Sequence, residues 1–497
     1  MSDIKTHTIL ALSLFVGASA SAQIVPQRLT LERAIAIAQQ SSPSAQMAEL
    51  SFMTEYWSYR SYKAELLPSI NLSGYVGGYD RSVVEVRNSD TGEISYVSNN
   101  TLTNNLSLSI DQEIALTGGT ISVNTSLIRL DQFNYGNTLY NSVPVSITYT
   151  QPLRSFNTLK WQKKTAPLEY ENAKRSLLET METIAINTAT YFFAVLSAQT
   201  THKSNLDNNA DTRRMYEIAQ RRFEIGTITK SELLQLELSL LNSEISLCSS
   251  EIALESALFS LSFYMGIGDN RNLELVAPSS IPDVLLDYDF VLDRALANST
   301  HETSIKIQGL EADMDVAQAK ADRGIQIELG ANLGLSQTSN NFSGAYRSPV
   351  DQEIVGVSIS MPIFDWGTSR GKIKMAEAER AVILTQIEQD EIEFRQDIRI
   401  KVIEFNARIR QCEAAAKAQE VARERYAITL ERFENGGITV TELNTSQDEL
   451  NSANDEYVSQ IAYYWNAYYE IRQLSLYDYI QRRDINAEFD KIIENQL

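Results

Sequence analysis

The chain has 497 residues, with 64 acidic and 43 basic side chains and a formal net charge of −21 at pH 7. This acidic balance argues against nucleic acid and anionic lipid headgroups as primary partners, since both are bound through basic patches. The three histidines are scattered and supply neither a metal set nor a histidine-based catalytic set. Carboxylates are plentiful, but on long helices they usually form a solvated face. We therefore expect no enzyme, no metal and no cofactor.

The first 22 residues have the pattern of a secretory signal peptide. Lys5 precedes a short apolar run over residues 9–16, and Ala20 and Ala22 form a small-residue cleavage pattern. No cysteine follows the cleavage site, so we expect no lipid anchor there. Beyond it, no stretch reaches the roughly 18 consecutive apolar residues of a spanning helix. We expect an exported chain that either stays free or crosses an outer membrane as a β-barrel.

The segment over residues 29–43, LTLERAIAIAQQSSP, predicts an amphipathic helix capped by Thr30. A similar segment, VLDRALAN, occurs at residues 291–298, so each half of the chain begins with the same motif. The helices should continue to about Leu66 and about Asp322, and Pro68 ends the first of them.

After Pro68 the apolar residues alternate with polar ones, which predicts two-faced strands over about 69–153. A second strand region is predicted over about 325–363. Each region ends in a strand followed by proline, Pro152 or Pro362, 210 positions apart, so we predict strand-to-helix junctions at Pro68, Pro152 and Pro362. The first region is about 47 residues longer than the second, and most of the excess lies in residues 80–133, which include a turn at 117–119.

Behind each later proline lies a very long helical pattern, over about 166–225 and about 371–435, which continues through a turn into a shorter return helix. The turn is the most strongly repeated part of the chain. YEIAQRRFEIGTITKSEL at residues 216–233 returns as YAITLERFENGGITVTEL at residues 426–443. Gly226 and Gly436 are predicted to adopt the left-handed conformation that ends a helix, and Thr229 or Ser231 to cap the next one.

These boundaries divide the chain into a leader (1–22), a first repeat (23–287), a second repeat (288–476) and a tail (477–497). The fold class is mainly α with a strand region in each repeat. The order of leader, opening helix, proline-bounded strands, long helices and G-x-I-T tips resembles the TolC family of outer-membrane factors over essentially the whole mature chain.

The resemblance implies a homotrimer that spans the outer membrane with a β-barrel and the periplasm with an α-helical barrel, with the tail in an equatorial belt. It implies a passive exit duct of a tripartite efflux pump or type I secretion system, contacting outer-membrane lipid, a periplasmic adaptor protein and an inner-membrane pump. The tip residues that match the family pattern are candidates for adaptor contact. They are Phe223, Glu224, Gly226, Ile228, Thr229, Phe433, Glu434, Gly436, Gly437, Ile438 and Thr439.

The family also keeps acidic residues at the periplasmic constriction. Glu442 falls at the first acidic position in the G-x-x-T-x-x-acid spacing, whereas the later position reads Asn444-Thr445. The resemblance therefore implies a constriction ring at Glu442. The alternative for this residue is a solvated first-turn carboxylate that complements the helix N-terminus.

The resemblance implies four strands per chain and twelve in a trimer. The extra segment at residues 80–133 either extends the barrel outside the membrane or adds strands, and we expect the former. The competing function is a periplasmic coiled-coil scaffold that never enters the membrane. Such a scaffold would explain the helices but not the proline-bounded alternating strands.

Overall fold

A computed structural model describes residues 28–87, 91–268, 273–278, 281–434 and 437–485. The predicted leader, Gly436 and the end of the predicted tail lie outside the described residues. The helices are α1 (Leu31–Ser41), α2 (Pro43–Glu65), α3 (Thr158–Glu224), α4 (Lys230–Tyr264), α5 (Tyr288–Asn298), α6 (Thr300–Arg323), α7 (Thr368–Glu434) and α8 (Val440–Ser475). The strands are β1 (Arg28–Leu29), β2 (Ser69–Arg87), β3 (Ile94–Ile114), β4 (Gly119–Gln132), β5 (Asn137–Arg154), β6 (Glu274–Leu275), β7 (Gln326–Ser339), β8 (Val350–Ser360), β9 (Tyr477–Asp478) and β10 (Arg483–Asp484).

The predicted fold class is confirmed: two strand-and-long-helix units follow one another in a mainly helical chain. The helices α3 and α7 each have 67 residues, which at 1.5 Å per residue is about 100 Å. The helix α3 begins at Thr158, earlier than predicted, because the side chain of Asn157 accepts a hydrogen bond from the backbone N–H of Lys160 at 3.0 Å. Pro167 lies inside this helix and does not end it.

The main hydrophobic core lies around the middle of the long helices. Phe192 of α3 and Phe405 of α7 are fully buried, together with Tyr464 and Tyr468 of α8. The apolar face of α1, which Thr30 caps as predicted, packs into the same core through Leu31 and other residues. This core joins the two repeats into one structure.

A buried ion network ties the C-terminal segment to this core. The guanidinium of Arg472 on α8 donates to Glu182 on α3 at 3.0 Å and to Asp478 of the tail at 2.9 Å. The side chains of Glu182 and Asp478 are only 2% and 4% exposed. Burial opposes the charge on Arg472, yet the carboxylates of Glu182 and Asp478 hold its pKa above the usual value.

Within the described residues, six strands form a single antiparallel sheet in the order β2-β3-β4-β5-β7-β8. The expectation of four strands per chain is therefore wrong. The extra segment adds strands because β3 and β4 pair with each other from Thr101 and Gln132 down to Ile114 and Gly119. Only the far end of the β2–β3 hairpin continues beyond the end of β4.

The three prolines occupy different places. Pro68 and Pro362 lie just outside strands, in the connections between α2 and β2 and between β8 and α7. Pro152, predicted at a junction, lies inside β5, where it is opposite Glu328 of β7. The register shifts between Pro152 and Arg154, so the missing N–H of proline coincides with an irregularity of the ladder.

Candidate functional site

The first tip joins α3 to α4 through a left-handed glycine. Gly226 has φ +74°, and its N–H donates to the carbonyl of Phe223 at 2.9 Å. The N–H of Thr227 donates to the carbonyl of Arg222 at 2.9 Å. These two bonds satisfy carbonyls at the end of α3 and require a residue that tolerates positive φ, which is the role predicted for Gly226.

A reciprocal pair of hydrogen bonds starts the return helix. The hydroxyl of Thr229 accepts from the N–H of Glu232 at 3.2 Å, and the carboxylate of Glu232 accepts from the N–H of Thr229 at 2.7 Å. This is a capping box, and it selects Thr229 over the predicted alternative, Ser231, as the cap. The hydrogen bonds from the backbone and hydroxyl of Thr229 hold the pKa of Glu232 below its usual value.

The second tip repeats this geometry where it is described. The N–H of Gly437 donates to the carbonyl of Arg432 at 2.9 Å, the counterpart of the bond from Thr227 to Arg222. Thr439 caps α8 by accepting from the N–H of Glu442 at 3.3 Å. The structure describes the backbone of Glu434 but not its side chain, and Gly436 lies outside the described residues.

The two tips pack against each other around a small second core. Its buried members come from all four long helices and are Met215, Ala219, Leu233, Leu236, Phe433 and Leu443. A cleft of about 550 Å³ lies between the tips, with Arg222 and Glu232 on one side and Thr439 and Thr441 on the other. The hairpins thus form one unit at the end of the molecule.

The equivalent phenylalanines have different environments. Phe433 is 7% exposed and belongs to the core between the tips, whereas Phe223 is 38% exposed, with the ammonium of Lys230 5.6 Å from its ring centroid. Ile225, which the repeat comparison did not single out, is 75% exposed at the turn itself. Of these three side chains, Phe223 and Ile225 are the ones available to a partner.

The remaining predicted tip residues differ in their exposure to solvent. Glu224, Gly226, Thr229, Gly437 and Thr439 are exposed, and Ile228 and Ile438 are half-buried against the second core. Glu442 is exposed on the first turn of α8. This geometry fits both the solvated helix-start carboxylate and a residue facing other copies of the chain.

The six-stranded sheet has one polar face built from small hydroxyl and amide side chains. The hydroxyls of Ser73 on β2 and Ser107 on β3 are 2.6 Å apart. The hydroxyl of Thr148 on β5 accepts from Asn124 on β4 at 3.2 Å and from Asn332 on β7 at 2.9 Å. Hydrogen bonds between side chains therefore run along this face from strand to strand.

The opposite face is apolar and uncovered in the single chain. Its aliphatic residues are aligned by the strand register and are between 38% and 70% exposed. They are Ile70 and Leu72 of β2, Leu106, Leu108 and Ile110 of β3, Ile121 and Val123 of β4, Val145 and Ile147 of β5, Leu333 of β7, and Val355, Val357 and Ile359 of β8. A continuous apolar surface of this size marks contact with lipid or another protein.

Among the described residues, no helix is long and apolar enough to cross a membrane. The same residues contain no group of histidine, cysteine and acidic side chains arranged to hold a metal ion.

A family model described as outer membrane efflux protein matches residues 113–267 and 291–475. No curated protein sequence matches the chain.

Solved structures share its fold. The Campylobacter jejuni CmeC outer membrane channel matches with a TM-score of 0.66 and 14% identity over 94% of this chain and 88% of that one. The outer membrane protein VceC of Vibrio cholerae matches with a TM-score of 0.61 and 15% identity, over 90% and 95% of the two chains. The open state of the Neisseria gonorrhoeae MtrE outer membrane channel matches with a TM-score of 0.56 and 14% identity, over 90% and 88%.

Proposed function

Because the chain belongs to the outer membrane efflux protein family, whose members are channels of the outer membrane that reach into the periplasm, we propose that three copies form a passive exit duct. The duct serves a tripartite efflux pump or a type I secretion system and has no catalytic step. The observation that supports this most directly is the six-stranded sheet, which has a polar and an exposed apolar face and leads into two long helical hairpins.

The sheet argues for several copies. A sheet that faces lipid must have its edges paired, because hydrocarbon leaves unpaired backbone N–H and C=O groups unsatisfied at a cost of several kcal/mol each. Six strands are also too few for a channel-sized barrel, since even the smallest outer-membrane barrels have about eight. The alternative of a periplasmic scaffold leaves the exposed apolar face of the sheet unexplained.

Oligomer state and detergent dependence test this architecture. We expect the purified mature protein to require detergent and to migrate as an SDS-resistant trimer that dissociates on heating. A monodisperse monomer in buffer without detergent would contradict the proposal.

The tips are proposed as the docking surface for a periplasmic adaptor protein of an inner-membrane pump. Ile225 and Phe223 present apolar side chains at the far end of the hairpins, where an aliphatic residue at 75% exposure has no packing role within its own chain. A photo-crosslinking amino acid at position 225 should capture the adaptor in intact cells. The same probe in place of Leu206, which is 52% exposed on the shaft of α3, is the matched control. Equal capture at the two positions would argue against docking by the tip.

Glu442 is proposed as the acidic ring of the periplasmic entrance. Threefold symmetry would bring three copies together, and such a ring should attract cations. Its repeat counterpart, Glu232, is the internal control because its carboxylate is already bonded to the N–H of Thr229 at 2.7 Å. In planar bilayers, Glu442→Ala should change conductance and weaken block by multivalent cations far more than Glu232→Ala does. Indistinguishable variants would leave both residues as helix-start carboxylates.

A further inference from the structure

The number of strands in each copy determines the width of the membrane pore. We propose that the assembled duct is a barrel of eighteen strands, six from each of three copies, rather than the twelve that four strands per chain would give. This inference rests on the proposed trimer and adds the size of its membrane section.

The two edge strands are suited to pair with one another in neighbouring copies. Within the described part of the chain, β2 pairs with β3 only and β8 with β7 only, and every pairing between them is antiparallel. In an antiparallel sheet with an even number of strands the first and last run in opposite directions. The edge β2 of one copy therefore meets β8 of the next as an antiparallel pair, and the same step repeated three times closes the wall.

The inserted strands β3 and β4 have the two faces of a barrel wall. Val123 of β4 is 38% exposed and aligned with Ile147 of β5 on the apolar face. On the polar face, Asn124 of β4 shares the hydroxyl of Thr148 with Asn332 of β7. A hairpin that lay outside the wall would need neither an apolar face aligned with its neighbours nor a polar face bonded to them.

The turn between β3 and β4 lies at the helical end of the sheet. The side chain of Gln112 donates to the carbonyl of Leu66, at the end of α2, at 3.0 Å. The side chain of Asn157, at the start of α3, donates to the carbonyl of Ala115 in the turn at 3.2 Å. Gly118 has φ +72° and packs against Asn157. The end of β3 is therefore bonded to the end of α2, and the turn that follows is bonded to the start of α3.

With six strands per chain, the circumferences of the two parts of the duct are nearly equal. Eighteen strands spaced about 4.8 Å apart and tilted about 40° have a circumference of about 113 Å, whereas twelve have about 75 Å. Four helices of each copy connect directly to the sheet, namely α2, α3, α6 and α7. Twelve helices spaced about 9.5 Å apart have a circumference of about 114 Å. The helical tunnel can thus continue into the barrel without narrowing.

The proposed barrel has a backbone diameter of about 36 Å, against about 24 Å for twelve strands. Its lumen is lined mainly by serine, threonine and asparagine, together with acidic side chains such as Asp111 of β3, which accepts from Asn71 at 2.9 Å and from Ser109 at 2.7 Å, so the path is hydrated and carries negative charge. The membrane section would then pass any cargo that the periplasmic tunnel passes, which leaves size selection to the tips.

Paired cysteines on β4 test whether the inserted hairpin belongs to the wall. In a chain carrying Cys248→Ser and Cys412→Ser, Val123→Cys and Asn124→Cys report the two faces of β4. Val357→Cys and Ser358→Cys do the same for β8, which lies in the wall in either arrangement. A bimane label at position 123 should be quenched by brominated lipid to within about twofold of the label at position 357. A charged methanethiosulfonate reagent should block current through Asn124→Cys and Ser358→Cys to similar extents.

The outcomes separate the two proposals. If the β8 variants respond as expected and the β4 variants do not, the eighteen-stranded barrel is refuted and the trimeric duct stands. If neither strand responds, the proposed duct itself is refuted. Electron microscopy of the trimer in lipid nanodiscs gives an independent measure, because a backbone diameter near 24 Å rather than 36 Å would also overturn the inference.

Discussion

Replacing Arg472 with methionine should detach the C-terminal segment, residues 477–485, from the core. The guanidinium is the cation between two buried carboxylates, Glu182 and Asp478, and its own side chain is 16% exposed. Methionine keeps much of the aliphatic volume, so the change removes the charge rather than creating a large cavity.

The size of the effect follows from what remains after the substitution. Removing one partner of a buried ion pair typically costs 3–5 kcal/mol because the other charge stays buried. Asp478 keeps other donors, namely the hydroxyl of Tyr468 at 2.8 Å and the backbone N–H groups of Ile480 and Gln481 at 3.0 and 2.8 Å. We therefore expect the lower end of the range, about 3 kcal/mol.

Hydrogen exchange measures this loss directly, because the amides of Ile480 and Gln481 are themselves part of the network. A loss of about 3 kcal/mol corresponds to roughly 100-fold faster exchange of the peptide over residues 477–485, at about 1.4 kcal/mol per factor of ten. Lys401→Met is the matched control, since Lys401 of α7 pairs with Glu470 of α8 at 2.6 Å, but both side chains are about one-third exposed. An exposed pair of this kind contributes about 0–1 kcal/mol.

Equal exchange in the two variants would refute the reasoning, because it would mean that burial adds nothing to the pair. A second comparison guards against a general packing defect. Glu182→Gln combined with Arg472→Met removes one uncompensated charge, so the double variant should recover part of the protection lost in the single one.

The other predictions concern the tips, and each is measured by hydrogen exchange corrected for the intrinsic rate. Gly226→Ala should destabilise the first tip by about 1 kcal/mol because φ is positive at this position, although an added Cβ meets nothing within 4 Å. Gly437→Ala, at a position without positive φ, is the control and should destabilise the second tip clearly less. The pKa of Glu232 is lower in the folded protein than in the unfolded chain, so its carboxylate stabilises the tip at pH values above the unfolded pKa. This stabilisation is lost as the pH falls through the folded pKa. Glu232→Gln should therefore abolish the acid-dependent part of tip protection, and a tip that opens equally in acid with either residue would contradict this. Tyr426→Phe removes the bond to Asp211 at 2.9 Å and should loosen the contact between the hairpins by about 1–2 kcal/mol, whereas unchanged exchange would show that the bond contributes little.

Much of the architecture can be predicted from the sequence because it is written in local patterns. The duplication at an offset of 210 residues predicts two equivalent tips, and the requirement for positive φ at Gly226 and capping at Thr229 follow from the chemistry of helix ends. The alternation after Pro68 predicts strands with two faces. The glycine turn, the cap and the strand faces each depend on residues a few positions apart.

Contacts between distant segments cannot be predicted from these local patterns. Phe223 and Phe433 occupy equivalent positions of the repeat, yet one is exposed and the other buried. The phenylalanine of the second tip belongs to the core that also contains Met215 and Leu233 of the first tip. Arg472 and Glu182 are 290 residues apart, and nothing in either local sequence marks them as partners.

The strand count is the clearest case. Alternation shows that residues 80–133 contain strands, but it cannot show whether they join the sheet, because the same two-faced pattern would serve an extension of the barrel. The repeats, the tip turn with its capping threonine and the two faces of each strand can be predicted from the sequence alone, because each tip and each strand is specified by residues a few positions apart. The tertiary structure is needed to establish that β3 and β4 join the sheet, since that depends on backbone pairing on both sides and on the bonds from the end of this hairpin to Leu66 and Asn157.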